Sequence, residues 1–294
     1  MTDLTWGIAG GLGTGLTWAA ISILVRSLSG TVAPVGITAI RSTVGGVILL
    51  GIAVASGQGA ELVQAPLWVV LSLWASILIA MGIGDTCFFA SMDSLGVTRA
   101  LVLSMANPLL TTVVGIGFLG EPLTLLDTAG ILLVVAGLTL IVGGKGEGAT
   151  ERRGSRRRGL RLVFLASGAW ALSAIIMKAP LQALPATAAT ALRFPVTGLV
   201  LWLTPWTRGT LPAVAASSRA ERTRLGAICL LSSVGSLLFC VGIKYGGVAI
   251  GNVLAATAPL FTLPFEVVVL KQRPTHQTVY GAVITLAGIA LMNL

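Results

Sequence analysis

Two acidic residues stand well inside apolar stretches of this chain, away from their first turns. Asp85 lies within Met81-Gly82-Ile83-Gly84-Asp85-Thr86. A carboxylate in hydrocarbon is costly unless it is protonated, paired with a cation or reached by water. Asp85 is therefore a candidate for proton coupling or for holding a substrate amine. The plainer alternative is an acid bonded to a neighbouring helix or lying nearer the interface. Glu266 is a second proton-coupling candidate, although it precedes Lys271 by five residues and its long side chain can snorkel. Pro108, preceded by Asn107, and Pro259 each remove a backbone donor and free a carbonyl one turn earlier. Such a break can act as a hinge or coordinate a substrate; a static bend repacked by neighbours is the alternative. Asn252 can face a cavity or join helices. Trp18 and Trp170 lie away from the ends of their segments, where belt tryptophans sit. They can wall a substrate pocket, as can Phe88 and Phe239, with ordinary core packing as the commoner role.

These residues are carried by a repeat. At an offset of 151, Gly96-Val97 falls on Gly247-Val248, Phe88 on Phe239, Pro108-Leu109 on Pro259-Leu260, Gly130 on Gly281 and Gly137 on Gly288. At 152, Trp18 falls on Trp170, Arg26 on Lys178, Arg41 on Arg193 and Gly46 on Gly198. The chain is 55% hydrophobic and only 10% charged, with mean hydropathy +0.95. Soluble domains carry about a quarter charged residues, so a water-soluble shell is excluded. The apolar stretches reach the ~20 residues that cross a bilayer as helix, and the short alternating segments of a β-barrel are absent.

The fold expected is an all-α polytopic membrane protein. Ten spans are read at roughly 4–25, 34–55, 66–92, 98–118, 125–143, 159–178, 185–206, 224–245, 248–270 and 275–294. A first five-helix repeat occupies 1–143 and a second 159–294, with a basic linker at 144–158. Five spans per repeat put its ends on opposite sides of the membrane, so the tandem copies are inverted. Inverted repeats commonly hold substrate near the midplane and give alternating access.

Of the 19 lysines and arginines, fifteen fall in odd-numbered loops or at the span ends beside them and two, Lys178 and Lys244, at span ends beside even-numbered ones. Arg41 and Arg193 lie within spans, about two turns in, and are read as snorkelling or clamping a helix end, with a substrate-carboxylate role as the lesser alternative. The positive-inside rule then puts the odd loops in the cytoplasm and both termini outside. The net charge of +9 is thus one of membrane orientation, not of nucleic-acid binding. Cys87, Cys229 and Cys240 are scattered through apolar segments and His276 stands alone, so neither metal site, disulfide nor cofactor is expected. Gly7, Gly11 and Gly15 form a row for close helix packing.

The matched tryptophans, arginines and prolines, with Gly120-Glu121-Pro122-Leu123-Thr124 after the fourth span, resemble the EamA-type branch of the drug/metabolite transporter superfamily. The resemblance implies ten helices in two inverted repeats. Spans 1, 3, 4, 6, 8 and 9 would line a central cavity. It also implies export of small metabolites such as amino acids. Two departures stand out: Lys271-Gln272-Arg273-Pro274 replaces a usual Gly-Glu pair, and relatives usually keep both termini inside. The reading is a non-enzymatic secondary transporter in the inner (plasma) membrane. Its partners are a small-molecule substrate and the lipid bilayer, with a homodimer left open. Gly82-Ile83-Gly84-Asp85 also matches the GxGD string of intramembrane aspartyl proteases, but the second aspartate such a dyad needs is missing from a neighbouring span. A non-transporting scaffold is the third reading.

Overall fold

The computed structural model describes residues 3–111, 124–143, 153–265 and 275–291, and these are helical apart from short turns. The surface is apolar where a soluble protein's would be polar: Leu16, Val47, Leu71, Leu132 and Leu199 are exposed along the helices. Lipid tails solvate such residues, whereas the interior is rich in Ala, Ser and Thr that let backbones approach. This is a multi-pass membrane protein.

In the first half, α1 (Asp3–Ser27) and α2 (Pro34–Ala55) are the first two spans. A short α3 (Gly59–Gln64) follows. The third span is α4 (Leu67–Ile77), a π-helical segment (Leu78–Asp85) and α5 (Thr86–Leu95) in one rod. Then come α6 (Val97–Ser104), more helix over 106–111, and α7 (Leu125–Gly143). In the second half, α8 (Arg153–Ala183) and α9 (Ala186–Trp202) precede the short α10 (Thr210–Ala216). Last are α11 (Arg219–Ala255), α12 (Ala258–Phe265) and α13 (His276–Leu291). Prolines 34, 66 and 185 stand at or just before helix starts, where a missing N–H costs nothing. Ser218 caps α11 in a reciprocal box with Glu221: the Glu221 N–H donates to Ser218 Oγ at 3.3 Å and the Ser218 N–H donates to the Glu221 carboxylate at 2.7 Å.

Among the described residues, five segments cross a membrane on length and composition alone: Leu4–Ser27, Pro34–Ala55, Leu67–Leu95, Arg156–Ala183 and Arg219–Val248. A sixth results if Ala186–Trp202 and Pro205–Ala216, bent by 81°, count together. Of the ten expected spans, four, nine and ten run into residues outside those described, and the described parts of five and ten are shorter apolar helices. The expected linker is also shorter: α8 begins at Arg153, so its last residues are helical. Arginine is a good helix former, and the helix simply runs on into water.

The repeat is visible in how the halves touch. A Cβ on Gly137 would fall 2.7 Å from the Gly281 carbonyl oxygen, and one on Gly288 2.7 Å from that of Gly130. Gly46 abuts Pro195, while Gly198 abuts Thr43. Gly7 abuts Tyr245 and Gly246, while Gly159 abuts Ser94 and Leu95. Each contact maps onto its mate when the two repeat copies exchange places, which is the behaviour of a twofold contact. The first helix of each half thereby packs on the third span of the other. Gly96 (φ 79°, ψ 165°) and Gly247 (φ 78°, ψ 167°) make the same turn at the start of the fourth and ninth spans, in a region of backbone space that is essentially glycine's alone.

Candidate functional site

A cavity of about 130 Å³ lies between the halves. At roughly 10–15 Å³ per water by this measure, it has room for about ten waters, or a compact metabolite. Its walls come from eight spans. The six that the resemblance implies are joined by the second, through Arg41, and the seventh, through Arg193 and Phe194.

Asp85 organises one side. The π-helical turn ends on it, and π-turns widen a helix and re-aim the side chains beyond them. Arg41 Nη2 donates to Asp85 Oδ2, and each side chain is only 3% exposed. From the other half, Trp170 Nε1 donates to Asp85 Oδ1 at 2.7 Å and to the Ala80 carbonyl at 3.2 Å. A Cβ at position 84 would strike the Trp170 ring, so Gly84 is what admits the indole. Arg41 Nη1 also donates to Ser232 Oγ at 3.1 Å, and its guanidinium lies 5.2 Å from the Phe89 ring and 6.0 Å from that of Trp18. The guanidinium and the indole N–H together make burial of the carboxylate tolerable. They also knot four spans from both halves together at the cavity wall.

The interrupted spans form the opposite side. In the fourth, helix stops at Ser104, turns at Met105 and resumes, with Pro108 in the new first turn. In the ninth, α11 ends at Ala255 and α12 starts at Ala258, with Pro259 in its first turn. Met105 and Ala256 occupy the same place in the repeat. Both breaks line the cavity, together with Asn107 and Asn252. The break lies ahead of the proline in both spans: each proline opens a half-helix, where its missing N–H is harmless.

Trp18, Asp85, Asn107, Trp170, Phe239, Asn252, Pro108 and Pro259 all line this cavity. Phe88 does not: it is fully buried behind the indoles, 5.9 Å from Trp18 and 5.2 Å from Trp170 between ring centroids. It braces the wall. Glu266 lies outside the described residues. Arg41 and Arg193, read from sequence as snorkelling, instead point into the cavity, both about 2% exposed. The signal was available: an arginine two turns into a span needs a partner, and Asp85 is the acid nearest the middle of its own span. Ser173, Ser232 and Ser236 were not singled out by sequence and also line the cavity. Nothing in a lone serine's type marks it.

An all-helical body facing lipid, with a polar-floored cavity where two interrupted spans meet between its halves, defines a membrane transporter rather than an enzyme or a scaffold. The chain belongs to the EamA-like transporter family, whose model matches residues 5–143 and again 157–294. It is 26% identical over 226 residues to an uncharacterized transporter of Archaeoglobus fulgidus, covering 76% of each chain. It is also 28% identical over 138 residues to the uncharacterized transporter YvbV of Bacillus subtilis, covering 46% of this chain and 44% of that one. A solved crystal structure of a protein superposes with TM-score 0.70 across 98% of this chain and 97% of its own, at 17% identity, a likeness of fold alone. The protease reading of Gly82-Ile83-Gly84-Asp85 falls with the family, and the Asp85 carboxylate is engaged by Arg41 and Trp170.

Proposed function

We propose that this chain is a secondary transporter that carries a small metabolite by alternating access to one central cavity. Ten spans, five per half in opposite orientations, rock about the twofold contacts in the plasma membrane. The observation that carries the reading is the cavity itself, placed where both interrupted spans meet between the halves. Half-helices at a midplane cavity are the usual build of a transport site. Export of an amino acid or related compound is the direction the family likeness supports. The sequence holds no nucleotide-binding motif, and the reading is a gradient-driven carrier or a facilitator.

Asp85 is the coupling residue in this reading. Its carboxylate ties span two to span six across the halves, and a proton arriving on it would weaken both bonds at once. Counterflow of a metabolite panel in proteoliposomes tests transport. Asp85→Asn should keep counterflow and lose pH-driven uptake. Full pH-driven uptake by that variant would sink the coupling role, and an inert wild type across the panel would sink the transport reading.

A further inference from the structure

Arg193 is the second-half copy of Arg41, and its acid is missing. Under the repeat, Asp85 falls on Ser236, as Gly84 falls on Gly235 and Phe88 on Phe239. The contacts follow the same register. Arg41 sits over Phe89, one turn beyond Asp85; Arg193 Nη1 reaches Cys240 Sγ at 3.4 Å, one turn beyond Ser236, and Cys240 is the repeat mate of Phe89. Where the first half carries a carboxylate for Arg41, the second half carries a serine at the matching position. Among the described residues its hydrogen-bond partner is that thiol, a weak acceptor, and its Nε has none.

The cavity is therefore out of charge balance. Among the described residues its titratable lining is Arg41, Asp85 and Arg193: one carboxylate, bonded to Arg41 and within electrostatic reach of Arg193, serves two guanidiniums. A buried cation with no bonded counter-charge of its own is expensive, and the expense is relieved when a ligand brings an anion. Unpartnered polar groups wait around it. Among the described residues neither the oxygen nor the nitrogen of the Asn252 amide has a partner, nor does Ser173 Oγ, and both residues are more than nine-tenths buried on the cavity wall. The first turn of α12, the positive end of its dipole, also lines the cavity.

We infer that Arg193 is the anion-binding residue of the transport site and that the substrate is a monocarboxylate, its carboxylate taking the place that Asp85 takes on Arg41. This deepens the transport reading and rests on it. One surplus cation suits one carboxylate; a phosphate monoester, with a charge of about −1.5 to −2, would remain uncompensated. The guanidinium fork can hold both oxygens of a carboxylate at once. Trp18, Trp170 and Phe239 supply an apolar wall for the rest of the molecule.

The test uses matched pairs of one size, the carboxylate and its primary amide: butyrate with butyramide, cyclohexanecarboxylate with its amide, and phenylacetate with phenylacetamide. Binding to the purified full chain is measured by calorimetry, and exchange by counterflow in proteoliposomes. At least one carboxylate should bind at least about tenfold more tightly than its amide, the size of a charged hydrogen bond. Arg193→Gln should abolish that preference. Ser236→Asp should abolish it too, because it restores the absent acid while completing the repeat's own pairing, and so folds. If no carboxylate outbinds its amide, or if Ser236→Asp keeps the preference, the assignment is overturned. Carboxylate binding that passes both variants but shows no counterflow supports the site and overturns the transport reading instead.

Discussion

Arg41 and Arg193 hold one position in the two copies of a repeat, yet they live in different electrostatic worlds. Around Arg41 the chain supplies a carboxylate, a serine and two aromatic faces. Around Arg193 it supplies a thiol. The same asymmetry recurs at one end of the third spans. Asp93 pairs with Arg26 at 3.0 Å and accepts from Ser29 at 2.6 Å, while its repeat mate is Lys244 and the mate of Arg26 is Lys178. The backbone differs too: residues 78–85 are π-helical, and their mates at 229–236 are ordinary α-helix. Duplication copied the frame, and these two acids stand in the first half alone. The first half's arginine is paired with a carboxylate; the second half's has only a thiol for a hydrogen-bond partner among the described residues.

The largest effect should come from removing the two arginines in turn. Arg41→Gln leaves Asp85 buried beside one indole and should cost about 3–5 kcal/mol, read as a lowered Tm in detergent. Arg193→Gln removes a charge that makes no salt bridge among the described residues and should cost clearly less Tm than Arg41→Gln. Equal losses would break the comparison. Next come the indoles. Trp170→Phe deletes the N–H on Asp85 and should cost about 1.5–3 kcal/mol. Trp18→Phe, whose N–H makes no hydrogen bond among the described residues, should cost clearly less on the same melt. The smallest difference is expected where the halves are alike. Gly137→Ala and Gly288→Ala each force a methyl against a carbonyl at 2.7 Å and should lose about 1–3 kcal/mol apiece, alike within error. Unequal losses there would mean that the twofold contact is not shared.

Much of this was legible before any fold was known. The repeat offsets located the matched Trp, Arg, Gly and Pro pairs, and the composition excluded a soluble body. Gly96 and Gly247 were matched in sequence and make one turn in space. The cavity lining was only partly legible. Phe88 and Phe239 are repeat mates, yet one braces from behind while the other faces the cavity, because a helix's rotation about its axis is set by its neighbours. The prolines marked the interrupted spans, but not that the breaks fall ahead of them at Met105 and Ala256-Thr257.

Sequence by itself determined the solvent, the duplication and the kinds of group available, since hydropathy and repetition are properties of the chain in order. Only the tertiary structure decided that Arg41 meets Asp85 while Arg193 meets no acid among the described residues. Pairing in a membrane interior depends on which faces of four separate helices turn towards one another, and on a π-turn that re-aims one acid. Neither is written in any single span.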